Sequence, residues 1–129
     1  MNDQIADMIV RIKNAGDARK ESLVLPYSKM KLSIAEILQK EGFVKNVVKK
    51  GKKVINSIEI TLIYEGDAPR IKGVDRISKF SRRVYQKSKD LRPVMQGQGL
   101  LVLTTPKGIL TSKEARKANV GGEPLFKIW

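Results

Sequence analysis

Residues 43–64, FVKNVVKKGKKVINSIEITLIY, decide the fold class, because within them the chain changes its period. Ile58, Ile60, Leu62 and Tyr64 fall on one face, with Glu59 and Thr61 on the other. A period of two describes a strand buried on one side. Two such runs, 43–50 and 53–64, flank Gly51-Lys52, which predicts a hairpin. Upstream the period is helical. Ile5, Met8, Ile9 and Ile12 recur after a capping Asn2 or Asp3, and Asn14-Ala15-Gly16 offers a stop. Leu23-Val24-Leu25 reads as a short strand ended by Pro26. Ser28 can then cap a second helix with a Met30, Ile34, Ile37, Leu38 stripe, closed by Glu41-Gly42.

The first part of the chain is therefore an α/β lobe, two helices on a three-stranded sheet. Glu65-Gly66-Asp67-Ala68-Pro69 is turn chemistry and the expected boundary, giving lobes at 1–66 and 67–129. Beyond it, residues 70–76 and 82–86 read as short strands, and Leu100–Leu103 as a strand buried on both sides. Thr111-Ser112-Lys113-Glu114 has the form of a capping box, so a short helix covers roughly 112–118. Gly121-Gly122 ends it, and residues 123–129 form a last strand. The class is α+β, two small packed lobes, the second mostly β with one short helix.

Charge sets the function class. Of 129 residues, 26 are Lys or Arg and 13 Asp or Glu, a net +13. Residues 1–68 carry 12 basic and 9 acidic side chains, whereas residues 69–129 carry 14 and 4. Self-repulsion of that size is relieved by a polyanion, so RNA or DNA is favoured over a merely soluble basic protein. A membrane partner is not expected: no apolar run approaches the ~20 residues of a span, and no long basic amphipathic helix exists. The acidic start does not read as a signal peptide. Absence of cysteine suits a reducing cytosol.

Catalysis is disfavoured by side-chain chemistry. With neither His nor Cys, the chain lacks the usual bases, thiol nucleophiles and most zinc ligands. Gly97-Gln98-Gly99 precedes a strand instead of linking strand to helix, so it is not a phosphate cradle. No metal and no cofactor is expected.

Three segments could meet RNA. In Leu103-Thr104-Thr105-Pro106-Lys107-Gly108 a buried strand runs into hydroxyls, a lysine and a glycine that permits close approach. The Thr111 cap is expected to bring helix amides near this loop. An ordinary polar turn is the plain alternative. In Arg82-Arg83-Val84-Tyr85, Arg83 could grip phosphate and Tyr85 stack on an unpaired base, or Tyr85 could sit in the core. Gly121-Gly122-Glu123 makes a tight turn whose Glu123 could accept from base amino groups or merely order the protein. In the first lobe Lys29, Lys31, Arg11 and Lys13 could reach phosphates, against the simpler reading of solvated cations.

In order along its length, the chain resembles the eighth small-subunit ribosomal protein family in its bacterial form. The residues that carry the resemblance are 5–15 (IADMIVRIKNA), Pro26-Tyr27-Ser28-Lys29-Met30-Lys31 and Leu38-Gln39-Lys40-Glu41-Gly42-Phe43. With them go 104–111 (TTPKGILT), Glu114-Ala115-Arg116 and Gly121-Gly122-Glu123. The resemblance implies a two-lobe, non-enzymatic constituent of the small ribosomal subunit that assists assembly. It implies direct binding to a helix in the central domain of small-subunit ribosomal RNA, with ribosomal proteins as neighbours. In some bacteria the family also represses its own operon mRNA. The implied location is the ribosome, in the cytoplasm or an organelle stroma or matrix. The residues placed at RNA are Thr104, Thr105, Lys107, Gly108, Tyr85, Arg83, Gly121, Gly122 and Glu123, with Lys29, Lys31 and Arg11 from the first lobe. This chain departs from the family at Pro106, where a serine is usual, and at Lys79-Phe80-Ser81. Its aromatic end, with Phe126 and Trp129, is also atypical.

Overall fold

Asp3 opens the first helix, its Oδ1 accepting the Ala6 N–H at 3.1 Å. In a computed structural model of the chain, which describes residues 3–78, 84–91 and 99–129, this helix (α1) spans Gln4–Asp17. It runs past the expected stop. The left-handed residue that ends it is Arg19, at φ 59°, and not Gly16. Gly16 serves close packing instead, since a Cβ there would lie 3.2 Å from Pro69. The chain divides into two units, one of Asp7–Lys72 and one of Gly73–Trp129 with the residues before Asp7.

In the first unit a three-stranded antiparallel sheet has the order β1-β3-β2, from Ser22–Pro26 (β1), Val44–Lys50 (β2) and Ser57–Leu62 (β3). The alternation that decided the fold class holds: Ile58, Ile60 and Leu62 are buried, and Ser57, Glu59 and Thr61 are not. Burying each such aliphatic side chain contributes about 1.5–3 kcal/mol. The second helix (α2), Lys29–Lys40, is capped by Ser28, which accepts the Lys31 N–H at 3.1 Å. Its covered stripe is Lys31, Ile34, Ala35 and Leu38. Met30, expected in that stripe, is exposed.

Residues 64–69 are a miniature hairpin of Tyr64–Glu65 (β4) and Ala68–Pro69 (β5), turning at Gly66 with φ 64°. The expected strand over 70–76 is only Val74–Arg76 (β6). Arg70 is drawn away from it, with its guanidinium 4.1 Å from the Phe43 ring centroid and 3.6 Å from Glu65 Oε1.

The second unit holds a four-stranded antiparallel sheet in the order β6-β9-β7-β8. Its further strands are Leu100–Thr105 (β7), Gly108–Thr111 (β8) and Glu123–Ile128 (β9). Leu100, Leu101, Val102 and Leu103 are all buried, as a continuous apolar run requires. Leu101 and Leu103 cluster with Leu91 and Ala115. The third helix (α3), Ser112–Lys117, starts on a full capping box. Thr111 Oγ1 accepts the Glu114 N–H, and the Glu114 carboxylate accepts the Thr111 N–H, both at 3.1 Å. Asn119, at φ 57°, ends this helix in place of the glycines.

Phe126 is fully buried. Trp129 pairs with Gly73 through two backbone hydrogen bonds of 3.0 and 3.1 Å. A Cβ on Gly73 would fall 2.5 Å from the indole, so the glycine makes room for the ring. Both aromatic residues of the atypical end thus pack within their own unit. The expected strand at 82–86 is absent where it is described: Gln86 makes a lone bridge to Gly122.

Candidate nucleic-acid interface

β7 and β8 are joined by a two-residue turn, Pro106-Lys107, closed by the pairing of Thr105 with Gly108. Proline suits the first central position because its φ is already set. Thr105 locks the turn from inside, donating its hydroxyl to the Gly108 carbonyl at 2.8 Å and accepting the Lys107 N–H at 3.1 Å. Gly108 takes φ 107°, which side-chain-bearing residues rarely adopt. The Thr104 hydroxyl, one residue back, has no hydrogen-bond partner among the described residues. Lys107 is exposed.

β8 itself was not foreseen, and it removes one expectation. Thr111 lies opposite Val102, three pairs from the turn, or roughly 10 Å along the strand. The start of α3 therefore stands at the far end of the hairpin, and its amides do not join the Lys107 loop.

The other two segments of this unit converge on the same strand end. Thr104 is paired with Glu123 across β7 and β9. Gln86 donates its N–H to Gly122 at 2.8 Å and accepts the Gly122 N–H at 2.9 Å, which ties the residue after Tyr85 to the glycine pair. Neither Gly121 nor Gly122 has positive φ; their role is proximity. A Cβ on Gly122 would lie 2.2 Å from the Thr104 carbonyl oxygen, and one on Gly121 would lie 2.5 Å from that of Gln86. The Tyr85 hydroxyl is 3.1 Å from the same Gly121 position. Tyr85 is 68% exposed, so it is not a core residue, and a flat ring is left facing solvent.

Glu123 is engaged within the protein. Its Oε1 accepts the Ser78 hydroxyl at 2.6 Å, and Ser78 Oγ accepts the Val84 N–H at 3.2 Å. Ser78 is fully buried. This chain of bonds fixes the backbone just before Tyr85. Sequence reasoning passed over Ser78, since a single serine between Ile77 and Lys79 carries no local signal. Arg83 lies outside the described residues, as do Lys79, Phe80 and Ser81.

In the other unit the three expected contacts differ in what they leave free. Lys29 is exposed at the start of α2. The Arg11 guanidinium donates to the Val24 carbonyl at 3.1 Å and lies 3.9 Å from Asp7, yet the side chain stays 44% exposed. Lys31 is the most buried of the three. It is only 7% exposed, because it stands three, four and seven residues before Ile34, Ala35 and Leu38 and shares their covered face.

Among the described residues no group of acidic side chains could hold a metal, and no helix is long and apolar enough to cross a membrane. The family model described as ribosomal protein S8 matches residues 3–129. The small ribosomal subunit protein uS8 of Caldanaerobacter subterraneus subsp. tengcongensis is 50% identical over 132 residues, covering 100% of this chain and 98% of its own. Proteins of the same name from Lachnoclostridium phytofermentans and Mycoplasmopsis agalactiae are 47% and 43% identical, with the same coverage. The chain belongs to the ribosomal protein S8 family.

Proposed function

We propose that this protein, a structural and non-enzymatic constituent of the small ribosomal subunit by its family, binds directly to a helix in the central domain of small-subunit ribosomal RNA. The observation that carries this reading is the convergence of Thr104, Thr105, Lys107, Gly108, Tyr85, Gly121, Gly122 and Glu123 at one end of β7. Such a surface combines a hydroxyl with no partner among the described residues, an exposed ring, a cation and close-lying backbone in a small space. Those are the groups that read an irregular RNA helix, whose unpaired bases can stack and whose phosphates and 2′-hydroxyls lie open. Glu123 and Ser78 act from behind by holding the Tyr85 segment. Lys29 and Arg11 add phosphate contacts from the first lobe, and binding so early a structural helix would assist subunit assembly. Repression of the protein's own operon mRNA would use the same surface.

Mapping crosslinks between the protein and ribosomal RNA in assembled small subunits tests this directly. Crosslinks from Tyr85 and the Lys107 turn to one central-domain helix are expected. Absence of the protein from small subunits in a sedimentation gradient would overturn the reading.

A further inference from the structure

Residues 42–58 contain five lysines, Lys45, Lys49, Lys50, Lys52 and Lys53, and no acidic residue. The remaining residues of 1–68 hold seven basic and nine acidic side chains. The positive charge of the first lobe therefore sits in the β2–β3 hairpin alone. One of these cations is neutralised: Lys50 Nζ lies 3.2 Å from Glu59 Oε2. Lys45, Lys49, Lys52 and Lys53 are exposed and have no carboxylate partner among the described residues.

The connection that carries Lys52 and Lys53 has a fixed backbone, while Lys45 and Lys49 stand on β2. Asn56 donates its N–H to the Lys50 carbonyl at 2.9 Å, and the Asn56 carbonyl accepts the Tyr27 N–H at 3.1 Å. Gly51, at φ 150°, folds so closely that a Cβ would lie 2.0 Å from the Val54 carbonyl oxygen. Lys52, Lys53 and the 76% exposed Val54 are held at the tip by this turn.

We propose that the hairpin tip is a second RNA-binding surface, which holds the phosphate backbone of a duplex segment by charge, without reading sequence. The proposal rests on the RNA-binding reading above but uses none of the same residues. Residues 44–58 contain no aromatic side chain for stacking on bases and no arginine for bidentate recognition. What they offer is a set of mobile point charges on a rigid turn, which suits phosphates at variable positions. Four ammonium groups with no carboxylate partner among the described residues repel one another, and phosphates relieve that repulsion with release of counterions. A protein partner is the poorer fit, since lysine is depleted at the centres of protein interfaces.

The test compares the wild type with the K49Q/K52Q/K53Q variant by salt titration of binding. The two probes are a central-domain ribosomal RNA fragment and a duplex RNA of unrelated sequence. The slope of log K against log salt should fall by about two for both RNAs, with their affinity ratio unchanged. An unchanged slope overturns the proposal. If the wild type shows no preference for the ribosomal fragment, the function proposed above fails, while the slope on the unrelated duplex still decides the hairpin. Because the chain has no cysteine, V54C supplies a unique thiol for a tethered RNA-cleaving reagent in assembled subunits. Cleavage of ribosomal RNA is expected, and crosslinking to a neighbouring protein without RNA cleavage would refute the assignment.

Discussion

Ser78 donates its hydroxyl to Glu123 Oε1 at 2.6 Å across 45 residues of sequence, and Ser78 Oγ in turn accepts the Val84 N–H at 3.2 Å. A fully buried hydroxyl thus joins the Gly-Gly-Glu turn to the segment leading into Tyr85. Ser78→Ala removes the acceptor of the Val84 N–H and the hydroxyl donor to Glu123 Oε1, which should cost about 1–3 kcal/mol. Urea unfolding followed by the fluorescence of Trp129, the one tryptophan, measures this. Glu123→Gln keeps an oxygen acceptor for the serine and should lose clearly less than Glu123→Ala. Equal losses from the two would show that the serine bond is not what the carboxylate contributes.

Asp3 and Arg76 predict an acid-sensitive component of stability. The Arg76 Nε donates to Asp3 Oδ2 at 2.9 Å, with side chains 13% and 26% exposed. Burial pushes the Asp3 carboxyl up, but the Arg76 hydrogen bond, the Ala6 N–H, the Arg76 charge and the Ile5 N–H together hold it below its ordinary 3.8. A carboxyl lowered on folding stabilises the protein above its unfolded value, and that contribution is lost as pH falls through the folded value. Asp3→Asn should therefore destabilise at neutral pH, and the difference from wild type should shrink as pH falls below the ordinary carboxyl value of 3.8. Denaturation curves of the two proteins across that range give the answer; a constant gap would rule out the linkage.

What could be read from the sequence was what is local. The alternation of Ile58, Ile60 and Leu62 and the Thr111–Glu114 capping box depend only on near neighbours, and both hold. β8 was hidden because Pro106-Lys107 lacks the Asn-Gly signature of a tight hairpin, and Ile109-Leu110 is too short a run to show a period. Lys31 was read by its charge, although its spacing to Ile34, Ala35 and Leu38 put it on the covered face. The purpose of Gly121 and Gly122 could not be seen at all. They look like turn residues, but what demands glycine is the approach of the Gln86 and Thr104 carbonyls from distant parts of the chain.

The glycines of the candidate site separate two physical demands. Gly122→Ala would place a carbon 2.2 Å from the Thr104 carbonyl oxygen, which only a shift of β7 or β9 can relieve. Gly108→Ala meets open space but is strained by φ 107°. The second change should cost about 1 kcal/mol, and the first distinctly more, since it breaks the pairing that assembles the site. Thermal unfolding ranks them. RNA affinity should fall with Gly122→Ala even at temperatures where the variant remains folded.

Thr104 and Thr105 adjoin in sequence, yet their hydroxyls do different things. Thr105 spends its hydroxyl on the turn, on the Gly108 carbonyl and the Lys107 N–H, whereas Thr104 has no such bond among the described residues. Thr105→Ala should thus weaken both the hairpin and RNA binding, because Lys107 and Gly108 lose their brace. Thr104→Ala should leave unfolding almost unchanged and lower affinity for the ribosomal RNA helix alone, and the double variant should lose roughly 1–3 kcal/mol of binding. Filter binding and urea unfolding on the same preparations distinguish these outcomes. A Thr104→Ala protein with wild-type affinity would remove that hydroxyl from the interface and leave Thr105 a structural residue of the turn.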